Sequence, residues 1–125
     1  MTFVLESRFE CWAERRSVDG IVVCVAGEID ILTVPLLESA LHDQLNGSSR
    51  GGTVEVDLAN VVLLSARGIS ALVAASQSAA QKGVVFRVRA CHPSAHRVID
   101  VVGVAELLGL SPQGQVPAPG PRPTR

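Results

Sequence analysis

TVEVDLANVVLLSARGISALVAA, running from Thr53 to Ala75, is the stretch on which the fold turns. Val54, Val56 and Leu58 alternate with Thr53, Glu55 and Asp57, the period-two pattern of a strand with one buried face. Val61 to Leu64 reads as a short apolar loop. From Ala66 the pattern changes to Ile69, Leu72, Val73, Ser76, Ala79 and Ala80, a helix of small residues suited to close packing on a sheet. Ser65 stands where an N-cap is needed, and Lys82-Gly83 supplies a cation and a terminating glycine at the other end. A strand that feeds a helix N-terminus gathers backbone N–H groups at one surface point. The Ser65–Gly68 turn is therefore the expected place to bind a partner or receive a phosphate.

Upstream, Phe3 to Arg16 alternates as an edge strand, with Phe9, Cys11 and Ala13 set against Arg8, Glu10, Trp12 and Glu14. Ser17-Val18-Asp19-Gly20 is a turn, and Ile21 to Ala26 is an apolar run that reads as a strand buried on both faces. The two make a hairpin. Gly27-Glu28-Ile29-Asp30 ends the second arm, and Thr33 is the expected N-cap of a helix with Pro35 in its first turn. Leu36, Leu37, Ala40, Leu41 and Leu45 recur along it at helical spacing, and residues 46–52 form a polar, glycine-rich loop.

Downstream, Val84 to Ala90 is a further strand. Pro93 opens a helix through Val102, and Val104 to Leu110 is expected as a last short helix. The order is β-β-α-β-α-β-α-α, an α/β fold with a mixed sheet and helical crossovers between its later strands. Residues 1–110 form one domain on this reading. Residues 111–125, with five prolines and two glycines, form a disordered tail.

Composition narrows the function. The 125 residues suit one domain, and 47% hydrophobic with 18% charged residues suits a packed core rather than disorder. Aromatic residues are only 3%, so that core is built from Val, Leu, Ile and Ala. A net charge of −1 and the absence of a basic stripe with interleaved aromatics argue against nucleic acid. No apolar run approaches a bilayer span, and Met1 to Arg8 does not read as a signal peptide. Three irregularly spaced cysteines argue against a secreted disulfide scaffold. The expected setting is the cytoplasm, without membrane contact.

Residues that carry chemistry are few. Cys91, His92 and His96 share one strand-to-helix turn but lack a further Cys/His pair for a closed metal site, so no metal or cofactor is expected. Cys11 and Cys24 lie on the two arms of the first hairpin and would face each other around a tight turn, a candidate redox pair. As buried small hydrophobes in a reducing compartment they have an equally ordinary role. Glu28, Asp30 and Asp57 sit near strand ends, where carboxylates usually serve as caps. Ser65 has no histidine base at a motif spacing, and no phosphate loop of the Walker or dinucleotide kind is present. The chain does not read as an enzyme.

The ordered set Gly27-Glu28-Ile29-Asp30, Thr33, Val56-Asp57-Leu58, Val61 to Leu64 and Gly68-Ile69 resembles the STAS domain of anti-sigma factor antagonists. Gly83, the strand VVFRVRA and Val98-Ile99-Asp100-Val101-Val102-Gly103 fit the same pattern, so the resemblance spans roughly residues 8 to 110. It implies a bacterial partner-switching regulator, of the kind used in stress responses and monomeric when free. Such a protein binds an anti-sigma factor of the serine-kinase type and releases a sigma factor. It also implies an off-switch, phosphorylation of a serine at the start of the second helix, whose added charge breaks the packed interface.

The sequence departs from the family at that point. The usual motif is Asp-Ser-Ser-Gly or Asp-Ser-Thr-Gly. Aligned on Gly68, the acceptor position is Arg67, the one before it is Ala66, and the aspartate position is Ser65. Three readings follow, in order of preference. Arg67 leaves an antagonist always competent to bind, its guanidinium pairing with a carboxylate on the partner. Alternatively Ser65, or less favourably Ser70, has become the acceptor. Or the domain is a degenerate ligand-sensing or structural module. The expected interface comprises Asp30, Thr33, Ser65, Ala66, Arg67 and Gly68.

Overall fold

The computed structural model describes residues 3–5 and 9–110. Its elements in chain order are β1 (Phe3–Leu5), β2 (Phe9–Arg15), β3 (Gly20–Ile29), α1 (Val34–Asn46), β4 (Thr53–Leu64), α2 (Ala66–Lys82), β5 (Val85–Cys91) and α3 (Pro93–Val102). One five-stranded sheet runs β1-β2-β3-β4-β5 in sequence order. β1, β2 and β3 are antiparallel neighbours, whereas β3, β4 and β5 are parallel, with α1 and α2 as the crossovers. The mixed α/β architecture expected from the pattern is the one observed.

The alternating residues do what their period requires. Val23 and Val25, Val54, Val56 and Leu58, and Phe86 and Val88 present one sheet face to Leu37, Leu41, Ile69, Leu72 and Ile99 in a single core. Few of these side chains are aromatic, so the packing relies on many branched aliphatic contacts and on Ala71, Ala75 and Ala79, which keep α2 close to the sheet.

Three expectations are corrected. The single edge strand expected over Phe3 to Arg16 is two strands, so the edge is β1 and β2 lies inside the sheet. The apolar loop expected at Val61 to Leu64 is the second half of β4. There the pairing with β3 shifts register, and the side-chain alternation breaks at Ala59 and Asn60, both exposed. Inward Val61 and Leu64 then flank outward Val62 and Leu63. The expected last helix, Val104 to Leu110, is a series of turns between Gly103 and Gly109, both with positive φ. Its work is different: Leu108 is fully buried, and its carbonyl accepts the Val88 N–H at 2.8 Å, covering part of the open edge of β5. The proline-rich tail lies outside the described residues.

Candidate functional site

The C-terminal ends of β3 and β4 lie side by side, Ile29 opposite Leu64, and each runs directly into a helix start. At the β4 end, Ser65 N–H donates to the Ile29 carbonyl at 2.9 Å. Its side-chain Oγ accepts from Gly68 N–H at 3.1 Å, the N-cap bond expected of a serine at that position. Gly68 has a steric reason to be glycine. A Cβ there would lie 2.5 Å from Ile29 Cγ2 and 2.8 Å from Leu64 Cδ1, so its absence lets the helix start sit on the strand ends. Ala66, Arg67 and Ser70 are exposed. Arg67 makes no hydrogen bond or ion pair with the described residues, and the first turn of α2 holds no acidic residue.

At the β3 end the polar residues are turned inward. Thr33 is completely buried and makes no side-chain cap to α1. Its Oγ1 instead donates to the Glu28 carbonyl at 2.8 Å and accepts from Asp30 N–H at 2.9 Å. Asp30 Oδ1 in turn accepts from Leu32 N–H at 3.0 Å and Thr33 N–H at 3.1 Å. This is an Asx-type closure of the loop. Asp30 and Thr33 were expected at the surface as contacts. They form the knot that holds the loop, and what the loop displays is Ile31 and Leu32, 66% and 64% exposed.

With Val62 at 54% and Leu63 at 45%, these make four exposed apolar side chains on the two strand ends that flank the Ser65–Gly68 turn. Sequence reasoning missed all four as surface residues. The available signal was the run Val61 to Leu64, in which strict alternation would bury every second residue and cannot bury four.

The remaining candidates lie elsewhere. The hairpin pairs Cys11 with Val25 and Cys24 with Trp12, so the two thiols fall one residue out of step and on opposite faces of the sheet. Both are free, and the face-to-face arrangement expected of a redox pair is not formed. Burial, and less strongly Cys24, push the Cys11 thiol up to about 12. Burial, then Asp100 and Asp57, do the same to Cys91. Cys24 is also raised, by burial and then by Glu14 and Asp57. Raised thiols are poor nucleophiles at neutral pH.

His92 caps α3, its Nδ1 accepting Ser94 N–H at 3.1 Å, and His96 Nδ1 lies 3.1 Å from Asp100 Oδ2. Among the described residues no group of three His, Cys, Asp or Glu could hold a metal ion. Nor is any helix among them long and apolar enough to cross a membrane. A groove of about 560 Å³ between α1 and α2 is lined by Glu38, Ser39, His42, Ala71, Ala75 and Ser78, and no residue of the Ser65–Gly68 turn lines it.

Comparison with known proteins places this geometry. The family model described as "Mlab, STAS domain" matches residues 12–109. An anti-sigma factor antagonist from Mycobacterium paratuberculosis superposes with a TM-score of 0.74 at 27% identity, over 88% of this chain and 91% of that one. The Bacillus cell fate determinant SpoIIAA in its phosphorylated form gives 0.59 at 13% identity, over 82% and 92%. A STAS-domain antisigma-factor antagonist from Rhodobacter sphaeroides gives 0.54 at 20%, over 73% and 95%. The latter two likenesses are of fold. No curated protein matches the chain.

Proposed function

The chain belongs to the STAS domain family, and from that premise we propose that it is an anti-sigma factor antagonist that works by protein–protein binding and lacks the usual serine phospho-switch. One observation carries the reading. Arg67 is exposed and makes no hydrogen bond or ion pair with the described residues, and it opens the helix that follows β4, at the end of the sheet where Ile31, Leu32, Val62 and Leu63 are exposed. Large apolar side chains exposed together at one end of a sheet are costly to leave in water and are a common mark of a partner site. An arginine at the same end supplies a directional contact to a partner carboxylate. The same residue stands where the family places a phosphoacceptor, so a serine kinase has no hydroxyl there to modify.

On this reading the partner is an anti-sigma factor of the serine-kinase type, and its capture frees a sigma factor. Control then comes through abundance or a separate signal. The domain ends at residue 110 and the free protein is a cytoplasmic monomer without catalytic turnover. Ser65 contributes structure: its hydroxyl oxygen is engaged by Gly68 N–H, and it is half-buried in the turn.

The test is capture of a purified kinase-type anti-sigma factor before and after incubation with ATP. Binding is expected to persist, with no phosphate on residues 65–70 by mass spectrometry, and Leu63→Asp is expected to abolish capture. Stoichiometric phosphate on Ser65 with release of the partner would replace this reading by one in which the acceptor has moved. Failure of the unmodified chain to bind any such partner would favour a ligand-sensing or structural role.

A further inference from the structure

At the end of the sheet opposite the Ser65–Gly68 turn, two loops meet at the starts of β3 and β4. Gly20 lies opposite Thr53 in register, and each residue follows a loop: residues 16–19 after β2 and residues 47–52 after α1. Between these loops is a cavity of about 290 Å³, with Arg15, Asp19, Ile21, Gln44, Ser48 and Ser49 in its lining. Its walls are held by the chain itself. Arg16 N–H donates to the Gly20 carbonyl at 2.8 Å and Gly52 N–H to the Ser49 carbonyl at 2.9 Å, so each loop is closed on itself. Thr53 N–H donates to the Asp19 carbonyl at 2.8 Å and ties one loop to the other. Ser48 Oγ donates to the Gln44 carbonyl at 2.8 Å and fixes the end of α1.

The charges in this cavity are not consumed in structure. Arg15 Nη1 donates to the Val18 carbonyl at 3.0 Å and to the Ser17 carbonyl at 3.4 Å, which holds the guanidinium against the hairpin turn. Its remaining N–H groups are still available, and Arg15 has no ion pair among the described residues. The Asp19 carboxylate has neither an ion pair nor a hydrogen bond among them. The two side chains line the same cavity and do not pair with each other. The C-terminal end of α1, the negative end of its macrodipole, also reaches this cavity, and its last turn holds no basic residue.

We propose that this cavity binds a small zwitterion carrying both a carboxylate and an ammonium group, the chemistry of a free amino acid. The Arg15 guanidinium takes the carboxylate, which its planar fork fits. Asp19 and the end of α1 take the ammonium group. A simple anion would meet Asp19 and the helix end with like charge, and a simple cation would meet Arg15; only a ligand of both signs satisfies the whole lining. Size agrees. At ~30 Å³ for each water in the liquid, the cavity has room for about ten non-hydrogen atoms, which suits an amino acid and excludes a nucleotide. Ile21 offers an apolar wall to an aliphatic side chain, and Gln44 and Ser49 offer hydrogen-bonding groups to a polar one.

The test uses the full-length chain labelled with nitrogen-15, titrated separately with L-alanine, L-valine, L-serine and L-glutamine up to ~10 mM. At least one of them is expected to shift the amides of residues 18–20 and 47–49 saturably while those of residues 65–68 stay in place. Propionate, which lacks the ammonium group, and isobutylamine, which lacks the carboxylate, are expected to shift them far less. Asp19→Asn keeps an Asn-Gly turn, and Arg15→Gln keeps a donor for the Val18 carbonyl, so both variants should fold. Each should weaken binding roughly tenfold or more. No saturable shift with any of the four amino acids would overturn the proposal. Equal shifts with propionate would also overturn it, since the site would then be an adventitious anion contact of Arg15. So would unchanged affinity in both variants.

Discussion

The two helix starts at the ends of β3 and β4 are neighbours with the same task and different solutions. At α1, Thr33 is buried and Thr33 and Asp30 bond to the backbone of their own loop, so these polar groups are engaged in structure and the apolar Ile31 and Leu32 face out. At α2, Ser65 makes a single ordinary cap, Gly68 provides the close approach, and Arg67 is left exposed without a partner among the described residues. One start is a closed knot, the other an open display. The difference teaches that a polar residue near a site is not thereby a contact: what matters is whether its hydrogen-bonding capacity is already used.

The comparison can be broken first at Gly68. Gly68→Val forces methyl groups into Ile29 and Leu64, and the helix start must lift from the strand ends. The expected loss is at the upper end of roughly 1–3 kcal/mol for overpacking, read as a lowered midpoint in urea with little change in slope. Next comes the knot. Thr33→Val keeps the shape but removes the hydroxyl, leaving the Glu28 carbonyl and the Asp30 N–H unpaired in a buried site. About 2 kcal/mol should be lost. If Thr33→Val were silent in the same urea titration, the loop would owe its form to Asp30 alone. The contrast between the two helix starts would then collapse.

Much of this was legible in the sequence, for reasons that can be named. Alternation in Val54–Leu58 and the 3.6 period after Ser65 each specify a local shape, and the Ser65 cap and the Lys82-Gly83 stop are local too. What escaped depends on partners distant in sequence. The extension of β4 to Leu64 is set by pairing with Glu28 and Ile29, across a register shift that no local pattern announces. The segment Val104 to Leu110 has helical spacing, but its Leu108 carbonyl is drawn to Val88. The hairpin turn pairs Arg15 with Ile21, which puts Cys11 opposite Val25 rather than Cys24. The outward placing of Ile31, Leu32, Val62 and Leu63 follows from the same long-range pairings, so the apolar half of the site became visible only in the fold.

The smallest stability effects sharpen the comparison most, because they separate folding from binding. Ser65→Ala should cost about 1 kcal/mol through the lost cap, and Ser65→Asp should be close to neutral because aspartate caps equally well. Arg67→Glu should act in the opposite sense. Arginine in the first turn faces the positive end of the helix macrodipole, so a carboxylate there should stabilise the fold by about 0.3–1 kcal/mol at low salt. If Arg67 is held in place by a partner's carboxylate, the same change puts two negative charges together, and capture of the anti-sigma factor should fail although the protein is more stable. A variant that gains stability and loses its partner assigns Arg67 to the interface. If Arg67→Glu binds as well as the parent chain, the contact lies with the apolar quartet alone and the exposed guanidinium is an ordinary surface charge.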